Sequence, residues 1–162
     1  MIRTASVDDV PAVLALVREL AEYEHAAHEV EATEDDLTRS LFGDDPKAFA
    51  HLAEQDGVPV GFALWFLNYS TWLGRHGVWL EDLYVTPRLR GAGLGRALLA
   101  ELARICVRQG YGRLDWWVLD WNSAARGFYE SLGAVAMEYW TVHRLTGPAL
   151  RALADSAAGP AS

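Results

Sequence analysis

Apolar side chains recur every three or four positions at Val10, Val13, Leu14, Val17, Leu20 and Ala21, the spacing that gives a helix one buried stripe. Ser6 and Asp9 stand as a capping box ahead of them, so a helix is expected from about Val7 to Tyr23, after a short strand over Ile2–Ala5. Thr33 and Asp36 repeat the capping pattern before Leu37, Leu41 and Phe42, and Gly43 ends that shorter helix. Two apolar runs, Ala48–Glu54 and Val60–Phe66, flank Asp56-Gly57, whose tolerance of positive φ suits a hairpin turn. Gly77–Val85 reads as a further strand, and Thr86-Pro87 breaks it because proline cannot donate to a ladder. A helical stripe then runs through Leu94, Ala97, Leu98, Leu102, Ile105 and Cys106 and stops near Gly110. The remainder reads as a strand over Leu114–Leu119, a helix over Asn122–Leu132 stopped by Gly133, a strand over Val135–Leu145, and a short helix after Thr146-Gly147-Pro148 through Ala154. Strands and helices are interspersed, which predicts a mixed α/β fold.

At 162 residues the chain is sized for one domain, expected over residues 1–154, with the small, turn-rich residues 155–162 as a frayed tail. Fourteen Lys and Arg against twenty-two Asp and Glu leave a formal charge of −8. That sign disfavours nucleic acid as a partner and suits a cationic one. The single Cys106 excludes an internal disulfide, and its place on an apolar helical stripe predicts buried filler, not a nucleophile. No stretch approaches the length of a membrane span, and residues 1–30 lack a secretory pattern, so no membrane partner and a cytoplasmic location are expected. The five histidines show no compact ligand spacing, so no metal is expected.

Arg90-Gly91-Ala92-Gly93-Leu94-Gly95-Arg96 lies between a strand and a helix. Glycines there let backbone N–H groups approach an anion at a helix N-terminus, and two arginines add charge, so the loop is a candidate phosphate cradle. The dinucleotide pattern fails because Arg96 stands where its third glycine belongs, and the Walker pattern lacks its Gly-Lys-Ser/Thr.

Val85-Thr86-Pro87 followed by Arg90-x-x-Gly93-x-Gly95 resembles the acetyl-CoA pyrophosphate loop of the GNAT superfamily of N-acetyltransferases. Leu80-Glu81-Asp82-Leu83-Tyr84-Val85, Trp121-Asn122, Phe128-Tyr129-x-x-x-Gly133 and Leu20-Ala21-Glu22-Tyr23-Glu24 resemble one branch, the spermidine/spermine (diamine) and thialysine acetyltransferases. The resemblance spans roughly residues 2–145. It implies a mixed, mostly antiparallel central sheet whose two middle strands splay to admit acetyl-CoA, helices on both sides, and a homodimer.

It also implies roles, residue by residue. A primary amine is almost wholly protonated at pH 7, so direct transfer needs a proton acceptor, and Glu81 is the residue the resemblance favours. Strand alternation sends Glu81 and Asp82 to opposite faces unless a bulge intervenes. Tyr129 is the implied general acid that returns a proton to the thiolate. Leu83, Tyr84 and Val85 are expected to hold the pantetheine arm through their backbones; Arg90, Gly91, Ala92, Gly93, Leu94, Gly95 and Arg96 the pyrophosphate; and Asn122, Ser123, Ala124 and Ala125 a second cofactor contact. Tyr23, Glu24, Glu81, Asp82, Trp121 and Glu138 match substrate positions and, with Asp120, would suit a small cationic amine. The expected activity is acetyl transfer from acetyl-CoA to a polyamine-like or thialysine-like amine. The alternatives are a protein or peptide lysine acetyltransferase, or a CoA-binding module without turnover.

Overall fold

A computed structural model of the chain describes Met1–Ala157, so the last five residues of the expected tail lie outside the described residues. The chain divides into two compact units, Met1–Trp117 and the residues from Val118 onward.

The first unit is built on a five-stranded sheet in the order β1 (Ile2–Thr4), β2 (Phe49–Gln55), β3 (Val58–Ser70), β4 (Arg75–Val85) and β5 (Leu114–Trp116). The first three pairings are antiparallel and β4–β5 is parallel. The β2–β3 turn is the expected Asp56-Gly57, with φ of 53° and 77°, the doubly positive pair whose twist matches a hairpin. Both strands of the next hairpin run longer than the pattern implied, joined by a loop in which Leu73 N–H donates to Ser70 Oγ at 3.2 Å and Gly74 takes φ 64°.

Two layers of helix cover the sheet. Helices α1 (Val10–Tyr23) and α2 (Glu34–Phe42) bury Val13, Leu16 and Leu41 against Ala50, Leu52, Phe62 and Tyr84. Val7–Asp9 forms a separate 3-10 turn before α1, because Asp9 closes the capping box with Ser6 and Pro11 brings no N–H to a ladder. Arg3 clamps this corner, bonding Asp9 at 2.7 Å and Glu54 at 2.8 Å. Helix α3 (Leu94–Gln109) lies on the opposite face and buries Leu98, Leu102 and Cys106. There the buried His51 ring accepts a hydrogen bond at Nδ1 from Trp65 Nε1 at 3.1 Å, which leaves its proton on Nε2, 4.0 Å from Glu101 on α3. Burial holds this imidazole below its ordinary pKa, so it packs as the neutral ring.

Two expected elements are revised. The strand expected over Leu114–Leu119 ends at Trp116, its pairing with β4 stopping at Leu80, beside the point where β4 departs from regular register. No strand forms over Val135–Leu145, where Trp140 N–H bonding to Met137 O marks a turn. Alternating apolar residues make a strand only when a neighbour completes the ladder. The second unit instead consists of α4 (Ser123–Ser131), the irregular segment after it, and α5 (Gly147–Ser156), which runs two residues past the expected end.

Candidate active site

Strand β4 carries one residue more than its neighbour. Leu64 pairs with Asp82 and Trp65 with Leu80, so Glu81 bulges out of the β3–β4 ladder. The extra residue changes which way the acids face. Asp82 lies opposite Leu64 and Tyr84 opposite Phe62, on the side covered by α1, whereas regular alternation would have set Asp82 on the side of Leu80 and α3. Glu81 turns the same way: its Oε2 accepts a hydrogen bond at 3.0 Å from Trp79 Nε1, and Trp79 pairs with Phe66 on that face. The bulge thus brings both carboxylates to one face, which alternation had kept apart.

The aromatic wall beside Glu81 is the part that the sequence pattern did not single out. The Trp79 ring meets Trp117 edge-on at 4.9 Å and leans on Phe66 at 6.3 Å. Its signal was there in principle, since Trp79 and Glu81 are two apart on a strand and share a side. Burial pushes the partly buried Asp82 carboxyl up to about 7, with the nearby charges of Glu81 and Glu24 adding to the shift. Glu24, just past the last residue of α1, is raised by burial as well. Tyr23, Glu24, Glu81 and Asp82 are therefore gathered at one end of this unit.

Beyond Leu80 the ladder gives β4 only β3 as a partner, so Leu83, Tyr84 and Val85 pair with Ala63, Phe62 and Gly61 while β5 has ended. The pairing that stops here is between β4 and β5, the last strand of the sheet, where a splay between two central strands was expected. Tyr84 points into the core, where burial and the neighbouring Glu19 carboxylate raise its phenol pKa, so this stretch offers a ligand its main chain. The loop that follows begins with a 3-10 turn over Pro87–Leu89 and reaches Gly91 and Gly93 at φ 83° and 82°. A Cβ at either glycine would meet no atom within 4 Å, so backbone conformation and not crowding demands glycine here. Gly93 is the N-cap of α3 and brings no side-chain oxygen, so the first N–H groups of a sixteen-residue helix lack a side-chain cap, with Gly95 in the first turn and Arg96 exposed beside them. Amides and helix dipole so arranged fit a diphosphate. Arg90 points elsewhere. Its guanidinium lies over the Tyr23 ring, 4.3 Å from the centroid, and 5.5 Å from that of Tyr84, while Nε donates to Val85 O at 3.1 Å.

In the second unit Asn122 caps α4, its Oδ1 accepting from Ala125 N–H at 3.2 Å, with Ser123 and Ala124 in the same turn. Tyr129 stands in the next turn with its ring 5.3 Å from that of Phe128. Asp120 O accepts from Arg126 at 3.4 Å, Trp121 is half exposed, and Glu138 lies exposed in the turn before Trp140. Among the described residues no group of three His, Cys, Asp or Glu side chains could hold a metal ion, and no helix is long and apolar enough to cross a membrane. Cys106 is buried, as its stripe implied, and burial raises its thiol pKa.

A profile of the acetyltransferase (GNAT) family matches residues 12–134. The chain belongs to the GNAT family. Its sequence is 38% identical over 165 residues to a thialysine N-epsilon-acetyltransferase of Bos taurus, covering 95% of this chain and 96% of that protein. It is 30% identical over 197 residues to an L-ornithine N5-acetyltransferase of Arabidopsis thaliana, covering 94% and 86%. Among solved structures, an integron cassette protein from the mobile metagenome of V. cholerae superposes with a TM-score of 0.79 at 26% identity, over 95% of this chain and 96% of that one. As a GNAT protein the chain is an acetyltransferase that acts on an amine, with acetyl-CoA as its co-substrate. The expected mixed fold, with its sheet between helices, is the GNAT arrangement that these comparisons show.

Proposed function

We propose that this GNAT protein acetylates a primary amine of a small dicationic or amino-acid substrate of the thialysine, ornithine or polyamine kind. The observation that carries the reading is the β4 bulge, which sets Glu81 and Asp82 on one face with Tyr23 and Glu24 at the adjoining end of α1. Three carboxylates beside aromatic rings suit an extended cation better than a neutral acceptor. The names of the relatives, which act on thialysine and ornithine, support the same substrate class.

Acetyl-CoA, once bound, supplies an activated acyl group and a thiolate leaving group. Main-chain groups of Leu83, Tyr84 and Val85 line its pantetheine arm, and the N–H groups of Gly91–Arg96 receive its diphosphate. The family resemblance assigns a second contact to Asn122, Ser123, Ala124 and Ala125. Glu81 accepts the proton that the ammonium must lose, directly or through water. The same resemblance makes Tyr129 the group that would return a proton to the departing sulfur. The resemblance to the diamine branch assigns amine contacts to Asp82, Glu24, Tyr23, Trp121 and Glu138.

One observation favours a second assignment of the base. A carboxyl near 7 is matched to accepting a proton at neutral pH, so Asp82 competes with Glu81 for the role of base. Rate–pH profiles separate them. With spermidine, putrescine, thialysine, ornithine and a lysine peptide as acceptors, turnover selective for one of the small amines is expected. Glu81→Gln should then lower kcat by about 10² to 10⁴ while Asp82→Asn mainly raises the amine KM. The reverse pattern moves the base to Asp82, and turnover confined to the peptide moves the substrate to protein lysine. Tight acetyl-CoA binding without turnover on any amine would leave a CoA-binding module. Resemblance to the diamine branch further supports a homodimer, which a monomeric mass in light scattering would reject.

A further inference from the structure

Arg90 belongs by sequence to the phosphate side, yet its side chain is engaged at the amine side. Tyr84 is buried in the core and gives the guanidinium a fixed surface, and Tyr23 is the last residue of α1. A cation over an aromatic face is attracted by the ring's negative face, and the partial negative charge at a helix C-terminus adds to the attraction. This end of α1 has reason to need a hold. His25 follows Glu24 at φ 60°, in the turn closed by Ala26 N–H to Ala21 O at 2.8 Å, a left-handed conformation that a residue with a side chain adopts at a cost. The segment carrying Tyr23 and Glu24 therefore has a strained terminus, secured by a residue from the loop before α3.

We infer that Arg90 is a positioning residue that couples the two substrate sides: when CoA phosphates order residues 90–96, Arg90 is fixed, and through its stacking it fixes Tyr23 and Glu24 for the amine. The inference rests on the reading of this loop as the diphosphate holder and adds a link from it to acceptor binding. Such a link is reciprocal, so each ligand strengthens the other by the same factor.

Hydrogen exchange with CoA alone as the probe tests the link without any choice of acceptor. In the wild-type protein, CoA should slow exchange at residues 90–96 and also, by about fivefold, at residues 20–26. In Arg90→Met the slowing should persist at 90–96 and vanish at 20–26. Tyr23→Phe, which keeps the ring, should retain it, and Tyr23→Leu should lose it. Exchange across residues 60–65 of β3 reports whether each variant is folded. If Arg90→Met no longer binds CoA, Tyr23→Leu decides, because it changes no residue of the loop. Wild-type slowing confined to 90–96, or slowing at 20–26 that survives in both Arg90→Met and Tyr23→Leu, overturns the coupling alone. No slowing at 90–96 in the wild type overturns the phosphate-loop reading and the coupling together.

Discussion

Burial gives Asp82 a proton affinity near neutrality, about 7 in the folded chain against about 3.9 for an unperturbed aspartate. Between those values the folded state holds the proton that the unfolded state has released, so stability falls as pH rises from about 4 to 7 and levels off above. Asp82→Asn should remove that slope and be more stable than the parent at pH 8, by on the order of 2 kcal/mol. Urea unfolding at pH 5 and pH 8 measures it, and an undiminished slope would assign the titration to another group. His51 acts in the opposite sense. Its lowered pKa means that the unfolded chain takes up the proton first, so this residue costs stability as pH falls below about 6.5. The partly buried Asp82 and the buried His51 sit on opposite faces of one sheet, and their effects on stability run in opposite directions below neutrality.

At the level of elements, the loop into α3 is governed by backbone conformation. Gly93→Ala meets open space but must hold φ 82°, so it should cost about 1 kcal/mol in stability and weaken acetyl-CoA binding by more than that strain explains. Calorimetric titration with acetyl-CoA beside a thermal melt reads both; unchanged affinity in a destabilised variant would take the loop out of the site. This loop was legible in the sequence because its signal is local. So were the Thr33–Asp36 cap and the Asp56-Gly57 turn, each set by a few residues in a row. The bulge was not, because it is a property of how β4 registers on β3, and no spacing within β4 reports it. The strand expected over Val135–Leu145 failed for a related reason: alternation describes two faces but provides no partner. Arg90 showed its charge in the sequence and concealed its direction, which depends on Tyr23, far away in the chain.

Over the whole molecule the formal charge of −8 should draw cationic acceptors from a distance. Screening shortens that reach from about 30 Å at 0.01 M salt to about 8 Å at 0.15 M, so the KM for spermidine should rise several-fold over that range while kcat holds. An ornithine-like acceptor, which carries a carboxylate, should respond less. Equal responses would mean that only contacts at close range select the amine. Proteins seldom tolerate a change in length inside a sheet, since one residue gained or lost inverts every side chain beyond it. At position 81 this sheet already carries one such insertion, with regular pairing restored on both sides of it. The middle of β4 is thus a place where length can drift and the architecture endure. What a deletion there would take away first is one of two adjacent acids, so under the proposed roles the chemistry goes well before the fold does.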